Sequence, residues 1–245
     1  MRESITLTVG FGPPMSFPTE TIDKEGNTEK IWHWKWTLEI YTSYLKEVKH
    51  IFIHIPKCGG SSIHNYYPLC STTLLCLGHC FATEVYPDWC RSKMFAVVRN
   101  PYSRLVSAYR FMQRGGFRNN IEYIDLVKKY PTFEEWVLHG ITPENRVFDR
   151  NNIVTELLVP QYRFLYEDTH RKRVIVPRIL TFENYADEIE RHLNIPKRMQ
   201  LYANVTQRSP TEWKLYYINK DVQNKVYTLY FEDFKLFGYD YEIVL

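Results

Sequence analysis

Six consecutive residues, Lys57-Cys58-Gly59-Gly60-Ser61-Ser62, follow the apolar run IFIHIP over 51–56. Each residue type suits an oxyanion. Glycines let the backbone approach a ligand closely, and the first N–H groups of a helix aim at it. Ser61 and Ser62 add hydroxyl donors, and Lys57 adds a mobile point charge. The run before them is short, β-branched and closed by Pro56, so it reads as a buried strand, and the turn after it opens a helix running to Tyr67. The lysine precedes the glycines, whereas a Walker A loop places its lysine after them. A GGSS turn by itself is commonly structural. Strand before and helix after make this one specific for phosphate.

A second cluster begins at Arg99, where the run MFAVV (94–98) ends. Asn100 suits an N-cap and Pro101 the first helical turn. Leu105, Ala108, Tyr109 and Met112 recur at i, i+3, i+4 and i+7, which predicts an amphipathic helix over 101–113. Ser107 falls about two turns into it, on the face of Asn100 and Ser103. Ligands of open parallel sheets sit at the carboxyl ends of the strands, where Lys57 and Arg99 would both lie. Arg99 and Ser107 would then hold one phosphate from two sides. Taken singly, each also fits a helix-capping arginine or a buried serine.

The elements that must position these residues are legible in outline. VIVPRILTF (174–182) contains a third strand, with Pro177 marking a bend. Residues 121–138 are helical but broken at Pro131, and 184–192 and 212–234 are helical, the last open to division in two. Residues 31–48 begin with apolar–polar alternation and read as a strand or edge element. Residues 1–30, rich in Pro, Gly, Thr and charge, read as an irregular N-terminal arm. Strands alternating with helices predict an α/β chain, a single domain over 1–245 with a P-loop-like three-layer fold: a central parallel sheet flanked by helices.

Composition narrows the classes. With 44% hydrophobic residues in 245, the chain can bury a sizeable core. Its 31 basic and 28 acidic residues differ by only three, so a dedicated nucleic-acid binder is not expected. The start MRESITLTVGFGPP lacks the basic and apolar regions of a signal peptide. Residues 58–83 carry no charge, but their glycines and Pro68 argue against a membrane span and for protein lining a cleft. A soluble, cytosol-like location is expected, with the five cysteines reduced. Cys76, His79 and Cys80 (CLGHC) match no paired zinc-knuckle spacing, so no metal is expected.

Taken together, FIHIPKCGGSSI and FAVVRNPYSRLVSAYR resemble the PAPS-dependent sulfotransferases (PAPS is 3′-phosphoadenosine 5′-phosphosulfate). The likeness is to the carbohydrate branch that includes the heparan-sulfate 2-O type. VPQYRFL (159–165), RILTFENYADEIERHLNI (178–195) and YFEDFKLFGYDYE (230–242) look like later landmarks of that family, so the resemblance spans about 50–242. It implies PAPS as donor, its desulfated product PAP (adenosine 3′,5′-bisphosphate), no metal, and a hydroxyl acceptor, a glycan or small molecule. It also implies that Lys57 contacts the phosphosulfate bridge, that Cys58, Gly59, Gly60, Ser61 and Ser62 form the 5′-phosphate loop, and that Arg99 and Ser107 hold the 3′-phosphate. Thr206 and Arg208, in NVTQRS, match a late loop that returns to the nucleotide. Cys58 stands where the family more often has threonine. Members in the Golgi lumen usually carry a membrane anchor; that location would require this sequence to be part of a longer chain.

Transfer to a hydroxyl requires a base. His79 (LGHCFATE) lies between the two motifs and resembles a histidine of the 2-O branch; an ordinary imidazole pKa near ~6.5 suits proton removal at neutral pH. Glu84 is its rival, either as base or, with Asp88, as the group that orients His79. A P-loop kinase and a non-catalytic nucleotide-binding module are the competing classes, the first lacking an evident Walker A or metal-binding acid.

Overall fold

The computed structural model describes residues 16–22, 28–34, 45–66, 74–76, 79–85, 88–116, 120–149, 152–166, 173–197 and 211–244. Four strands, β3 (His50–Ile53), β4 (Leu74–Cys76), β5 (Met94–Val98) and β6 (Arg178–Thr181), form an all-parallel sheet in the order β4-β3-β5-β6. Phe52 faces Phe95 in the β3–β5 register, and Val97 faces Leu180 across β5–β6. All five residues of β5 are buried, as expected of a strand covered on both faces. Helices surround the sheet, giving the α/β architecture expected. Leu74–Cys76 is a strand that the charge-free stretch did not announce; three residues are too few for periodicity to register.

The arm expected to be irregular over 1–30 is corrected for residues 16–22 and 28–30, which are strand. β1 (Ser16–Ile22) and β2 (Thr28–Trp34) pair antiparallel, Ser16 opposite Trp34 and Ile22 opposite Thr28. Pro18 disfavours a strand only where its missing N–H is needed. In a two-stranded sheet every strand has a free edge, so Pro18 is accommodated.

Chain order explains where a ligand would go. From β3 the chain moves to β4 on one side, then crosses to β5 on the other. The reversal leaves a crevice beyond the carboxyl ends of β3 and β5. The helix α1 (Gly60–Tyr66) follows β3, and α2 (Pro101–Gln113) follows β5. Asn100 caps α2 as the sequence predicts, its side chain accepting the N–H groups of Tyr102 and Ser103.

Further on come α3 (Ile121–Lys129), α4 (Phe133–Glu135), α5 (Ile153–Leu158), α6 (Tyr185–Leu193), α7 (Lys220–Leu229) and α8 (Phe231–Phe237). The outward side of α2 packs with α7, α8 and Trp136 in a second, largely aromatic core. Among the described residues no helix is long and apolar enough to cross a membrane.

One buried chain of hydrogen bonds ties the late helices to the crevice. The Asp233 carboxylate, on α8, accepts the N–H groups of Gln161 (2.8 Å) and Tyr162 (2.9 Å). The Gln161 side chain in turn spans the Arg99 peptide, accepting its N–H and donating to its carbonyl, both at 2.8 Å. Gln161 and Asp233 are fully buried. Burial pushes the Asp233 carboxyl up to about 6, which leaves it ionised and accepting at neutral pH. In Asp233→Asn an amide NH₂ must face at least one of those backbone donors. A buried donor without an acceptor costs about 1–3 kcal/mol. Thermal unfolding should therefore show a melting temperature lower by roughly 2–4 °C per kcal/mol lost; an unchanged one would contradict this role.

Candidate functional site

The crevice begins with a conformation most residues avoid. Lys57 has φ 67° and Gly59 φ 85°. The left-handed region costs a side-chain-bearing residue roughly 1–2 kcal/mol, so Lys57 is held there by its surroundings. The Pro56 carbonyl accepts from the Arg104 Nε at 3.0 Å, and the Lys57 carbonyl accepts from the Arg99 Nη1 at 3.2 Å. Arg104 also donates to the Val159 carbonyl at 2.9 Å. Two buried arginines thus clamp the turn between β3 and α1.

Both glycines of the turn are required by space. A Cβ on Gly59 would come 3.1 Å from the Phe182 ring, and its φ disfavours any side chain. A Cβ on Gly60 would lie 1.9 Å from the Nε2 of His54. His54 therefore serves as the wall against which α1 starts. The turn's own backbone hydrogen bonds use the N–H groups of Cys58, Ser62 and Ile63. Among the described residues they leave those of Gly59, Gly60 and Ser61 uncommitted, which is the arrangement an anionic group needs. Ser62 is buried and Ser61 half-buried. Cys58 is fully buried, and burial raises its thiol to about 12; it donates to the Gln161 Oε1 at 3.1 Å and is no nucleophile.

Arg99 is buried at 5% exposure, so its charge is desolvated. Its Nε donates to Ser103 Oγ at 2.9 Å, and its guanidinium lies 4.2 Å over the Phe182 ring. Burial brings it down to about 10, still fully protonated at neutral pH. Ser103 is thus the serine bonded to Arg99. Ser107 stands one turn further along α2, on the same helical face and buried. The Lys57 ammonium sits 3.8 Å over the Phe111 ring, also on α2. Burial first and the Arg99 charge second lower it to about 7.

His79 Nδ1 meets Glu156 Oε2, on α5, at 2.8 Å, both side chains partly exposed. Toward an ionised carboxylate, which only accepts, Nδ1 is the donor of this contact. The His79 ring also sits edge-on to His54, centroids 4.5 Å apart. The carboxylate sequence reasoning placed beside it, Glu84, instead accepts the Phe81 N–H at 2.6 Å and is exposed. Asp88 pairs with Arg91 at 2.9 Å. Glu156 follows His79 by 77 residues, and nothing local in TELLVP marks it. Arg104, Gln161 and Asp233 were likewise missed, although VPQYRFL and YFEDFKLF stood out as segments. Thr206 and Arg208 lie outside the described residues. So does the Cys76 side chain; among the described residues Cys58, Cys80 and Cys90 form no disulfide.

Residues 44–240 match the sequence profile described as the sulfotransferase family. No curated protein and no solved structure gives a match.

The lysine supplies a pH test. Near pH 7 its amine is about half protonated, and a phosphate placed against it would restore the charge. Were PAP seated there, its binding would take up a proton, and the affinity would fall as pH rises above about 7, by up to about tenfold per pH unit. Lys57→Met should bind PAP more weakly at pH 7 and lose most of that slope. Calorimetric titrations from about pH 7 to 9 check it; parallel slopes in the two proteins would contradict it.

Proposed function

This chain belongs to the sulfotransferase family, and we propose that it moves a sulfuryl group from PAPS to a hydroxyl on a carbohydrate acceptor. The observation that supports this most is the convergence of the Lys57–Ser62 turn and Arg99 at the crevice between β3 and β5. The donor supplies the sulfuryl group on a nucleotide that carries phosphates at both ends. The backbone N–H groups of Gly59, Gly60 and Ser61, uncommitted among the described residues, and the serine hydroxyls of the turn suit its 5′ end. Arg99, with Ser103 and Ser107 on one helical face, suits the 3′-phosphate.

The chain's own residues account for the remaining chemistry. His79 Nε2 takes the acceptor's hydroxyl proton, and the acceptor oxygen forms its bond to sulfur. The bond from sulfur to the 5′-phosphate oxygen breaks, and its electron pair stays on that oxygen. Lys57 offsets the developing charge there, and the turn's N–H groups share it. Glu156 holds the imidazole with Nε2 toward the acceptor and stabilises the imidazolium that results. The crevice holds its charges before the donor arrives, which is how positioning and electrostatics lower such barriers. The residues present supply the countercharge that the leaving phosphate needs, so the reading invokes no metal.

The reading predicts release of PAP from PAPS in the presence of a suitable glycan, with kcat lower by about 10²–10⁴ in His79→Ala and PAP affinity unchanged. Glu156→Gln should lose less, also without weakening PAP. A panel of hydroxyl acceptors, assayed by PAP formation, measures both. If His79→Ala retained kcat while Glu84→Gln abolished it, Glu84 would be the base. Tighter binding of ATP with Mg²⁺ than of PAP would overturn the sulfotransfer reading and favour a kinase.

A further inference from the structure

A second cationic cavity lies where the 3₁₀ turn Gln161–Phe164 meets the junction of α7 and α8. Its volume is about 150 Å³, room for a small ion with a few waters. Pro160, Tyr162, Arg163, Arg146, Leu229 and Glu232 are among its walls.

Its two arginines are under-used. The Nε atoms of both Arg146 and Arg163 are buried without a hydrogen-bond partner. Arg146 donates one Nη1 to the Leu229 carbonyl at the end of α7, and its guanidinium stands over the Tyr230 ring. For Arg163 no side-chain hydrogen bond or ion pair is found among the described residues. Buried donors are ordinarily satisfied, and two such donors around one cavity signal a missing acceptor. Glu232 contributes one negative charge to the same walls, so the lining residues sum to one positive charge.

We propose that this cavity binds a small oxyanion, a phosphate, sulfate or carboxylate group, between Arg146 and Arg163. Planar guanidinium donors match the paired oxygens of such groups better than a water does. The site is separate in composition from the crevice of Lys57 and Arg99, yet joined to it. Tyr162 and Glu232 are immediate neighbours of Gln161 and Asp233, whose hydrogen bonds fix the Arg99 peptide. An ion seated here would fasten the two segments that carry that connection, so its occupancy also favours binding in the crevice.

The test uses the full chain with inorganic phosphate, against sodium chloride at equal ionic strength. PAP is present at saturation so that the crevice does not take the phosphate. Wild type should show a saturable rise in melting temperature, roughly 3–6 °C at ten times the half-saturating concentration. Arg163→Gln, at a side chain with no hydrogen bond or ion pair among the described residues, should abolish the saturable part. Glu232→Gln removes the one carboxylate and should lower the half-saturating concentration, a gain that misfolding cannot mimic. Acetate and sulfate series then separate the carboxylate from the tetrahedral ions. Should PAP not bind, the same comparison without it still reads the Arg163 difference. Equal responses of wild type and Arg163→Gln would mean a water-filled cavity and overturn the proposal. So would an unaltered half-saturation in Glu232→Gln.

Discussion

The grip of the Gln161 side chain on the Arg99 peptide is the contact on which the crevice depends. One amide satisfies both the N–H and the carbonyl of a residue that has just left β5 and can no longer use the sheet ladder. Asp233 immobilises Gln161 from behind, through two backbone N–H groups. The Cys58 thiol touches the same amide oxygen, so the turn after β3 shares the anchor. Three stretches far apart in sequence, 56–62, 99–104 and 159–165, are thereby locked around one point, with α8 as the back support.

That arrangement gathers positive charge where burial opposes it. Lys57, Arg99 and Arg104 lie together, and the first two are pulled below their ordinary ranges mainly by desolvation. Internal partners offset part of the cost: the Phe182 and Phe111 rings, Ser103, and the carbonyls of Pro56, Lys57 and Val159. A left-handed lysine and buried cations are costly for folding alone and favourable toward a dianion. The positive charge of the crevice is thus in place in the fold itself, with the clamp of Arg104 on Pro56 maintaining the turn's geometry.

How much of this was legible follows from the range of each interaction. The turn at 57–62, the strand 94–98 and the capped helix 101–113 are local patterns, and each appears where spacing placed it. The turn at Gly59 and Gly60 stands where the sequence placed it, but what requires Gly60 in the fold is the His54 ring, which no spacing reveals. Arg99 was identified by its position after β5; its hydrogen-bond partner, Ser103, is the nearer serine of the face on which Ser107 was chosen. Glu156, Gln161 and Asp233 are brought in by tertiary packing across 77, 62 and 72 residues, and polar residues of their kind are ordinarily solvated. The strands at 16–22 and 28–34 were obscured by proline and glycine, which weigh little where both strands are edges.

The most direct measurement is the affinity of Gln161→Leu for PAP relative to adenosine 5′-monophosphate, at a temperature where circular dichroism shows the variant folded. Leucine fills similar space but neither accepts from nor donates to the Arg99 peptide. The account predicts that PAP binding weakens at least about tenfold while the monophosphate, which lacks the 3′ group, weakens much less. Unchanged PAP affinity in the folded variant, or equal losses for both nucleotides, would contradict the claim that this contact holds Arg99 for the donor.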